Sequence, residues 1–485
     1  MQTADVLIQR ASWLGFDALT EKLRARVAPR DLDAPDDHGE EIRSDVAEAL
    51  GTEDRQEREA AALDLLRRYP YSSALIEALL DRGWLDDRPL EAALFAWDAL
   101  NHIFFPVDQP GIVARLASTA RPAGDLLPGE TSLFVPLRGD ALADAIDRFF
   151  SASDESDGGT LARAKRSGLR GDELDAAELA ELAEAAQQQG DAEATFVLEG
   201  VGGFADEESR FEAIVALLES ARELVSRGFP TLASFKLAVV EAIEDDDEAR
   251  RMMGELLLDQ GRIDDAASLF DESELDEEID DCVQFHVGFG ARVAIERGDF
   301  ERANQLLVPY FNGAQTMHEA VEMARTYPEL AVAAAELIVR TQQPNPLART
   351  IDVVCRQDEL NRAAHRLRAI ALLGQAVKGG ATIGEALSTL VRLTDVFPGY
   401  RPLWSSIATI AQQGRVPGDD YMALIGRQLE RQPQSSFVWY MLGLGLEGEA
   451  QAAFAEDYDR LLQAQVAQCR RSPHLVAIDG EAGDG

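Results

Sequence analysis

The sequence predicts an all-α protein: a superhelix of helix-turn-helix repeats preceded by a divergent helical N-terminal region. Three observations carry that expectation. Apolar residues recur at three- and four-residue intervals nearly throughout, as in "ADVLIQRASWLGFDALTEKL" and "SFKLAVVEAIEDDDEARRMMGELLLDQG", the period of a helix that buries one face. Strand-like alternation is almost absent, with "ETSLFVPLRG" at 130–139 as the one extended candidate. Near the C-terminal end a bulky residue followed four positions later by a small one returns every 34 or 35 residues: Ile370 and Gly374, Trp404 and Ala408, Trp439 and Gly443.

Taken from the N-terminus, the first segment divides off as residues 1–155. It is helical and aromatic, and Trp84 and Trp97 are core candidates. Acidic, turn-rich breaks interrupt it at 30–41 and close it at 151–159. Residues 160–472 form the repeat region, clearest over 247–315 and 367–469, and the tail 473–485, ending "EAGDG", reads as a disordered acidic end.

Within the repeats, Pro398 lies six residues before Trp404 and Pro433 six before Trp439. A bulky residue with apolar ones three and seven positions later makes one buried stripe, and a neighbouring Gly or Ala lets a second helix come close. Ala386, Leu390 and Leu393 supply that second helix, and Pro398 stops it for want of an N–H donor. Two upstream copies are offset by 37 residues: Met253-Gly254, Leu257, Gly261, Ala266 and Phe270, then Val287, Gly290-Ala291, Ala294, Gly298, Phe300, Ala303 and Leu307. A fainter one, "AAQQQGDAEATFVL", ends at Leu198, and 316–366 holds helices without a clean copy.

This pattern resembles the tetratricopeptide repeat family, whose unit of about 34 residues carries W-x2-L-G-x2-Y in its first helix, A-x3-F in its second and a proline near its end. The resemblance covers about a third of the chain. Leu446 stands where the family has tyrosine and Asp459 where it has a large apolar residue, so the last repeat reads as irregular or as a cap. It implies stacked helix pairs whose first helices line a concave, partner-binding face. The positions flanking the stripe that it turns toward the groove are Arg368, Gln375 and Lys378, then Ser405, Ser406, Thr409, Gln412 and Gln413, then Phe437, Tyr440, Met441 and Leu444. None of these is acidic, on a chain of net charge −41. Trp439 itself is expected in the core.

The charge arises from 46 basic against 87 acidic side chains, and four of the basic ones are lysines (Lys22, Lys165, Lys236, Lys378). Nucleic-acid and anionic-membrane binding are disfavoured. Adaptation to concentrated salt, a basic protein partner, and mimicry of nucleic acid remain open as explanations of the acidity. Cys282, Cys355 and Cys469 form no CxxC pair, and the six histidines show no two-His metal spacing. His286 and His365 read as packed or solvated helix residues. No phosphate-cradling glycine motif, calcium loop or nucleophilic arrangement is legible, so no catalytic residue, cofactor or metal is expected. The first residues lack a basic n-region and no stretch is long and apolar enough to span a bilayer, so the cytoplasm is the expected location.

The function expected is therefore that of a non-enzymatic scaffold or adaptor binding a partner protein or peptide, basic in one version, with self-association as a further possibility. Two alternatives stand beside it. One is a regulatory effector or enzyme with its chemistry or small ligand in 1–160, the repeats recruiting its target; the other is an acidic chaperone for a basic client.

Overall fold

The computed structural model describes residues 3–25, 38–52, 55–85, 88–106, 109–120, 207–243, 246–259, 263–269, 281–311, 317–341, 351–357, 361–368, 383–398, 400, 403–404, 406–408 and 418–470. Its helices run, in chain order, α1 (Thr3–Leu14), α2 (Asp17–Arg24), α3 (Gly39–Ala49), α4 (Arg55–Arg68), α5 (Ser73–Asp81), α6 (Pro89–His102), α7 (Pro110–Ala120), α8 (Glu207–Arg227), α9 (Pro230–Ile243) and α10 (Asp247–Asp259). They continue as α11 (Ile263–Ser268), α12 (Asp281–Glu296), α13 (Phe300–Phe311), α14 (Met317–Thr326), α15 (Pro328–Thr341), α16 (Ile351–Gln357), α17 (Ile383–Val396), α18 (Gly418–Arg431), α19 (Ser436–Gly445) and α20 (Gly448–Arg470). Residues 362–368 form two further helical turns. Among the described residues there is no strand, only a single bridge between Ile103 and Ser435. The all-α expectation therefore holds for what is described; the extended candidate at 130–139 and the tail 473–485 lie outside the described residues.

The contacts divide the chain into two compact units, one of Met1–Asp245 with Pro417–Gly485, the other of Asp246–Val416. The boundary expected near 155–160 lies outside the described residues; the contacts divide at 245/246 and 416/417, so the last helix pair falls in the same unit as the N-terminal helices. The physical reason is what fills the apolar face of the last helix pair. Phe16, at the turn between α1 and α2, stacks on Trp439 at 4.4 Å and on Phe454 at 5.5 Å, and meets Phe104 edge-on at 5.9 Å. The Leu19 amide donates to Asp457 Oδ2 at 2.8 Å. α1 packs on α18, and α20 on α2 and α7. α19 is apolar nearly all round, and such a helix must be covered on every side.

The link between α18 and α19 is stitched to the N-terminal helices by its polar groups. Gln434 donates through Nε2 to Ser73 Oγ (2.8 Å) and the Phe104 carbonyl (3.0 Å), and its Oε1 accepts from the Ser73 amide (2.9 Å). Phe104 N donates to the Gln434 carbonyl, and Ser436 Oγ to that of His102. Buried polar groups this well satisfied fix one register.

At the centre of the first unit lies α6, buried along 92–100 and packed on α7 and α9. Its Asp98 caps α9, Oδ2 accepting the amides of Thr231 (2.9 Å) and Leu232 (3.1 Å), two donors that a helix start leaves orphaned. A buried quartet of charge joins α4, α6 and α9. Arg88 Nη1 lies 3.0 Å from both Glu59 and Glu91, and Lys236 Nζ 3.1 Å and 3.0 Å from the same two carboxylates. Ser220 on α8 donates to Glu59 at 2.9 Å. Burial alone would push the Glu59 carboxyl up; Lys236 and Arg88 outweigh it and hold the group at about 2.

In the second unit the corresponding central helix is α12, buried from His286 to Ile295 and packed between α10, α13 and α15. It stops at Gly298, whose φ of +79° is the left-handed turn that glycine adopts without strain, and Asp299 caps α13 by accepting the Arg302 amide at 2.9 Å. Val287, Ala291, Ala294 and Ile295 pack against Ala303, Leu307, Leu330, Ala333 and Leu337 in one cluster.

The expected roles of three features can now be stated. Trp439 and Trp404 are both core residues, 0% and 1% exposed, and each indole N–H donates to the carbonyl of the proline six residues before it, Pro433 (2.7 Å) and Pro398 (2.8 Å). The small residue after the stripe matters too: a Cβ on Gly443 would come within 2.3 Å of the Phe454 ring. Trp84 and Trp97 are buried in the first unit.

Candidate functional site

The face expected to bind a partner is only partly open. Phe437 is buried under the rings of Tyr71 (6.5 Å) and His102 (5.6 Å, nearly parallel). Met441 is buried as well, and its carbonyl accepts the Tyr421 hydroxyl at 2.8 Å. Both are corrected from groove to core: the N-terminal helices occupy the face that the repeat pattern leaves free. Tyr440 is 43% exposed, Leu444 half-buried and Arg368 exposed. Gln375, Lys378, Ser405, Thr409, Gln412 and Gln413 lie outside the described residues.

A different set of side chains converges in the second unit. On α10, Arg251, Glu255 and Asp259 follow at intervals of four, which places them in one stripe beside the apolar face. Arg292 is the charged residue on the buried stretch of α12; Glu329 and Glu336 come from α15, and Arg362 and Arg366, again four apart, from 362–368. Asn361 starts that last helix by accepting the Ala364 amide at 2.9 Å.

Glu255 is the hub, meeting Arg292 at 3.2 Å, Arg251 at 3.4 Å and Arg362 at 3.5 Å. Arg251 also meets Glu248 (2.7 Å) and Glu329 (3.3 Å), and Arg362 meets Asp259 (3.1 Å). Arg366 pairs with Glu336, toward which Arg340 also reaches, and Arg340 pairs with Glu296 at 2.7 Å. The Arg362 guanidinium lies 5.2 Å over the buried ring of Tyr400. The side chains of Arg251, Glu255, Asp259, Arg292, Glu329, Glu336, Arg362 and Arg366 are all between 8% and 17% exposed, so the cluster sits at the border between interior and solvent.

The carboxyl groups of the cluster respond differently to that border. Burial pushes each of them up, and what happens next depends on the cations at hand. At Glu255 the three guanidinia of Arg251, Arg292 and Arg362 overcome burial and hold the group below the ordinary range. Arg366 does the same for Glu336. At Glu329 burial prevails over Arg251, and the group is raised. Asp259 is pushed up to about 6, because burial and the nearby negative charge of Glu255 exceed what Arg362 returns. Among the described residues, one buried polar atom of the cluster, Nε of Arg366, has no hydrogen-bond partner.

Such an arrangement sets planar guanidinium donors against carboxylate acceptors and ties α10, α12, α15 and 362–368 to one another. Its signal in the sequence is the i, i+4 charge spacing at 251–255–259 and 362–366, together with a single arginine inside "VGFGARVAIE". His286 is buried, and His365 packs at 5.6 Å against Phe397. Among the described residues no three His, Cys, Asp or Glu side chains are placed to hold a metal ion, and no helix is long and apolar enough to cross a membrane. No protein-family model matches this chain, and no curated protein matches it.

Proposed function

We propose that the protein is a scaffold or adaptor of tetratricopeptide-like helix pairs that binds another protein chain, and that the charged face of Asp246–Val416 is its recognition surface. The observation that carries the proposal is the exposed rim of the charge ladder, Glu248 and Arg340 at 39% and 44% exposed, which border the paired side chains from Arg251 to Arg366. What supports the repeat character is the pair of identical Trp–Pro hydrogen bonds 35 residues apart, and the packing of α10 on α12 and of α12 on α15. A mixed-sign polar face selects a partner by complementary charge and governs its rate of encounter more than its buried area does.

The test is capture of partners by the tagged full-length chain from its native cells. Arg340→Glu and Glu248→Lys reverse rim charges that are 44% and 39% exposed, changes a folded protein tolerates. Tyr440→Arg instead places a new positive charge on an exposed position of the other unit. Loss of a captured protein in the first two variants, with capture kept in the third and weakened by salt, is the expected pattern. Capture unaltered by both rim reversals, in chains shown by circular dichroism to be folded, refutes the assignment.

A further inference from the structure

We propose that Asp259 and Arg362 form a proton-dependent clasp that fastens the helical turns 362–368 to α10 and closes as the medium becomes acidic. It concerns the conformation of the second unit alone and does not depend on any partner. Its geometric basis is an unequal sharing of cations. Among the described residues Glu255 has three guanidinia within 3.2–3.5 Å, whereas Asp259 has one ion-pair partner, Arg362 at 3.1 Å, which it divides with Glu255. The tie is long-range: Arg362 stands 107 residues from Glu255 in the chain.

The groups that face Asp259 are Glu255 from α10 itself, Arg292 from α12, Arg362 and Arg366 from 362–368, and Tyr400. Glu329, on α15, faces Arg251, Glu255 and Arg292 rather than Asp259. With its side chain 14% exposed, Asp259 cannot draw on water for the solvation its charge needs. A neutral carboxyl there keeps a carbonyl oxygen to accept the Arg362 N–H, and it no longer repels Glu255. Once the clasp opens and Asp259 meets solvent, its carboxyl returns to the ordinary range near 3.9.

The sign follows from linkage. The closed form binds the proton more tightly, with Asp259 at about 6, so acidification favours closure and neutral or alkaline medium favours opening. Between pH 7 and pH 5 the ratio of closed to open molecules rises about tenfold, since over this window the closed form takes up nearly one proton that the open form does not.

Hydrogen exchange of the full-length chain at pH 7 and pH 5, corrected for the intrinsic exchange rate, reads this directly. Amides of 362–368 and of α10 gain about tenfold protection on acidification in the wild type, while those of α13 do not follow. Asp259→Asn, which keeps the acceptor oxygen and removes the charge, gives protection independent of pH. Glu329→Gln retains the wild-type response. The clasp is overturned if wild-type protection at 362–368 does not change with pH, if the change persists in Asp259→Asn, or if Glu329→Gln abolishes it. Should Asp259→Asn fail to fold, Arg362→Lys, which keeps a cation beside Asp259, is expected to retain the pH response at 362–368, and its loss there overturns the clasp.

Discussion

Replacing Phe16 by alanine should loosen helices more than 400 positions away in the sequence. The ring is fully buried and touches Trp439, Phe454 and Phe104. Truncation of a core phenylalanine costs about 3–5 kcal/mol, and three aromatic partners place this site toward the upper part of that range. About 4 kcal/mol is a large share of the 5–15 kcal/mol that holds a typical domain folded. With a denaturant slope of about 2–3 kcal/mol per molar urea, the unfolding midpoint of the first unit should fall by roughly 1.3–2 M. Because the chain comprises two compact units, one global curve is the wrong observable. Hydrogen-exchange mass spectrometry along a urea series separates them, peptides from 436–461 reporting one and peptides from 286–307 the other. The expected result is a shift in 436–461 with 286–307 unmoved. Coincident shifts in both sets, or none in 436–461, would refute the claim that Phe16 holds the C-terminal pair within its own unit.

Further outcomes follow from the same contacts. Gln434→Ala removes three hydrogen bonds and leaves the Ser73 amide and Phe104 carbonyl buried without that partner, a loss of roughly 2–4 kcal/mol that urea unfolding of the first unit will register. Glu59 is held at about 2, below its unfolded value, so its contribution, at most about 3 kcal/mol, is present above pH 4.5 and lost as pH falls through 2. Thermal melts of wild type and Glu59→Gln should therefore differ at pH 6 and converge toward pH 2. Gly443→Val forces a side chain into the Phe454 ring and should cost about 1–3 kcal/mol, whereas Gly111→Ala, with nothing within 4 Å of its added Cβ, should be neutral or slightly stabilising in the same calorimetric scan.

The helices were legible because their cause is local. Trp439, Leu442 and Gly443 announce a buried stripe and a close approach by spacing alone, and the structure buries the first two and lays Phe454 against the third. Phe437 and Met441 share that helix, yet their burial depends on Tyr71, His102 and Tyr421, two of them from the far end of the chain, which no periodicity reveals. The charge ladder was hidden for the same reason. Arg251 and Glu255 signal each other at four residues, but Glu329 lies 78 positions from Arg251 and Arg362 lies 107 from Glu255. Among acidic turns on a chain of net charge −41, such residues look like ordinary solvated surface until the fold brings them together.

The stitching of Gln434 to Ser73 and Phe104 also sets a timetable for biosynthesis. Those partners are separated by 361 and 330 residues, so at about 5–20 residues per second the N-terminal helices wait roughly 17–72 s on the ribosome before the segment that covers them is made. Asp246–Val416 is made whole in that interval, while the first unit still lacks its C-terminal helices. During the wait Phe16, Tyr71 and Phe104 lack the rings of α19 and α20 that later cover them. The nascent chain thus presents apolar rings that the finished molecule has withdrawn.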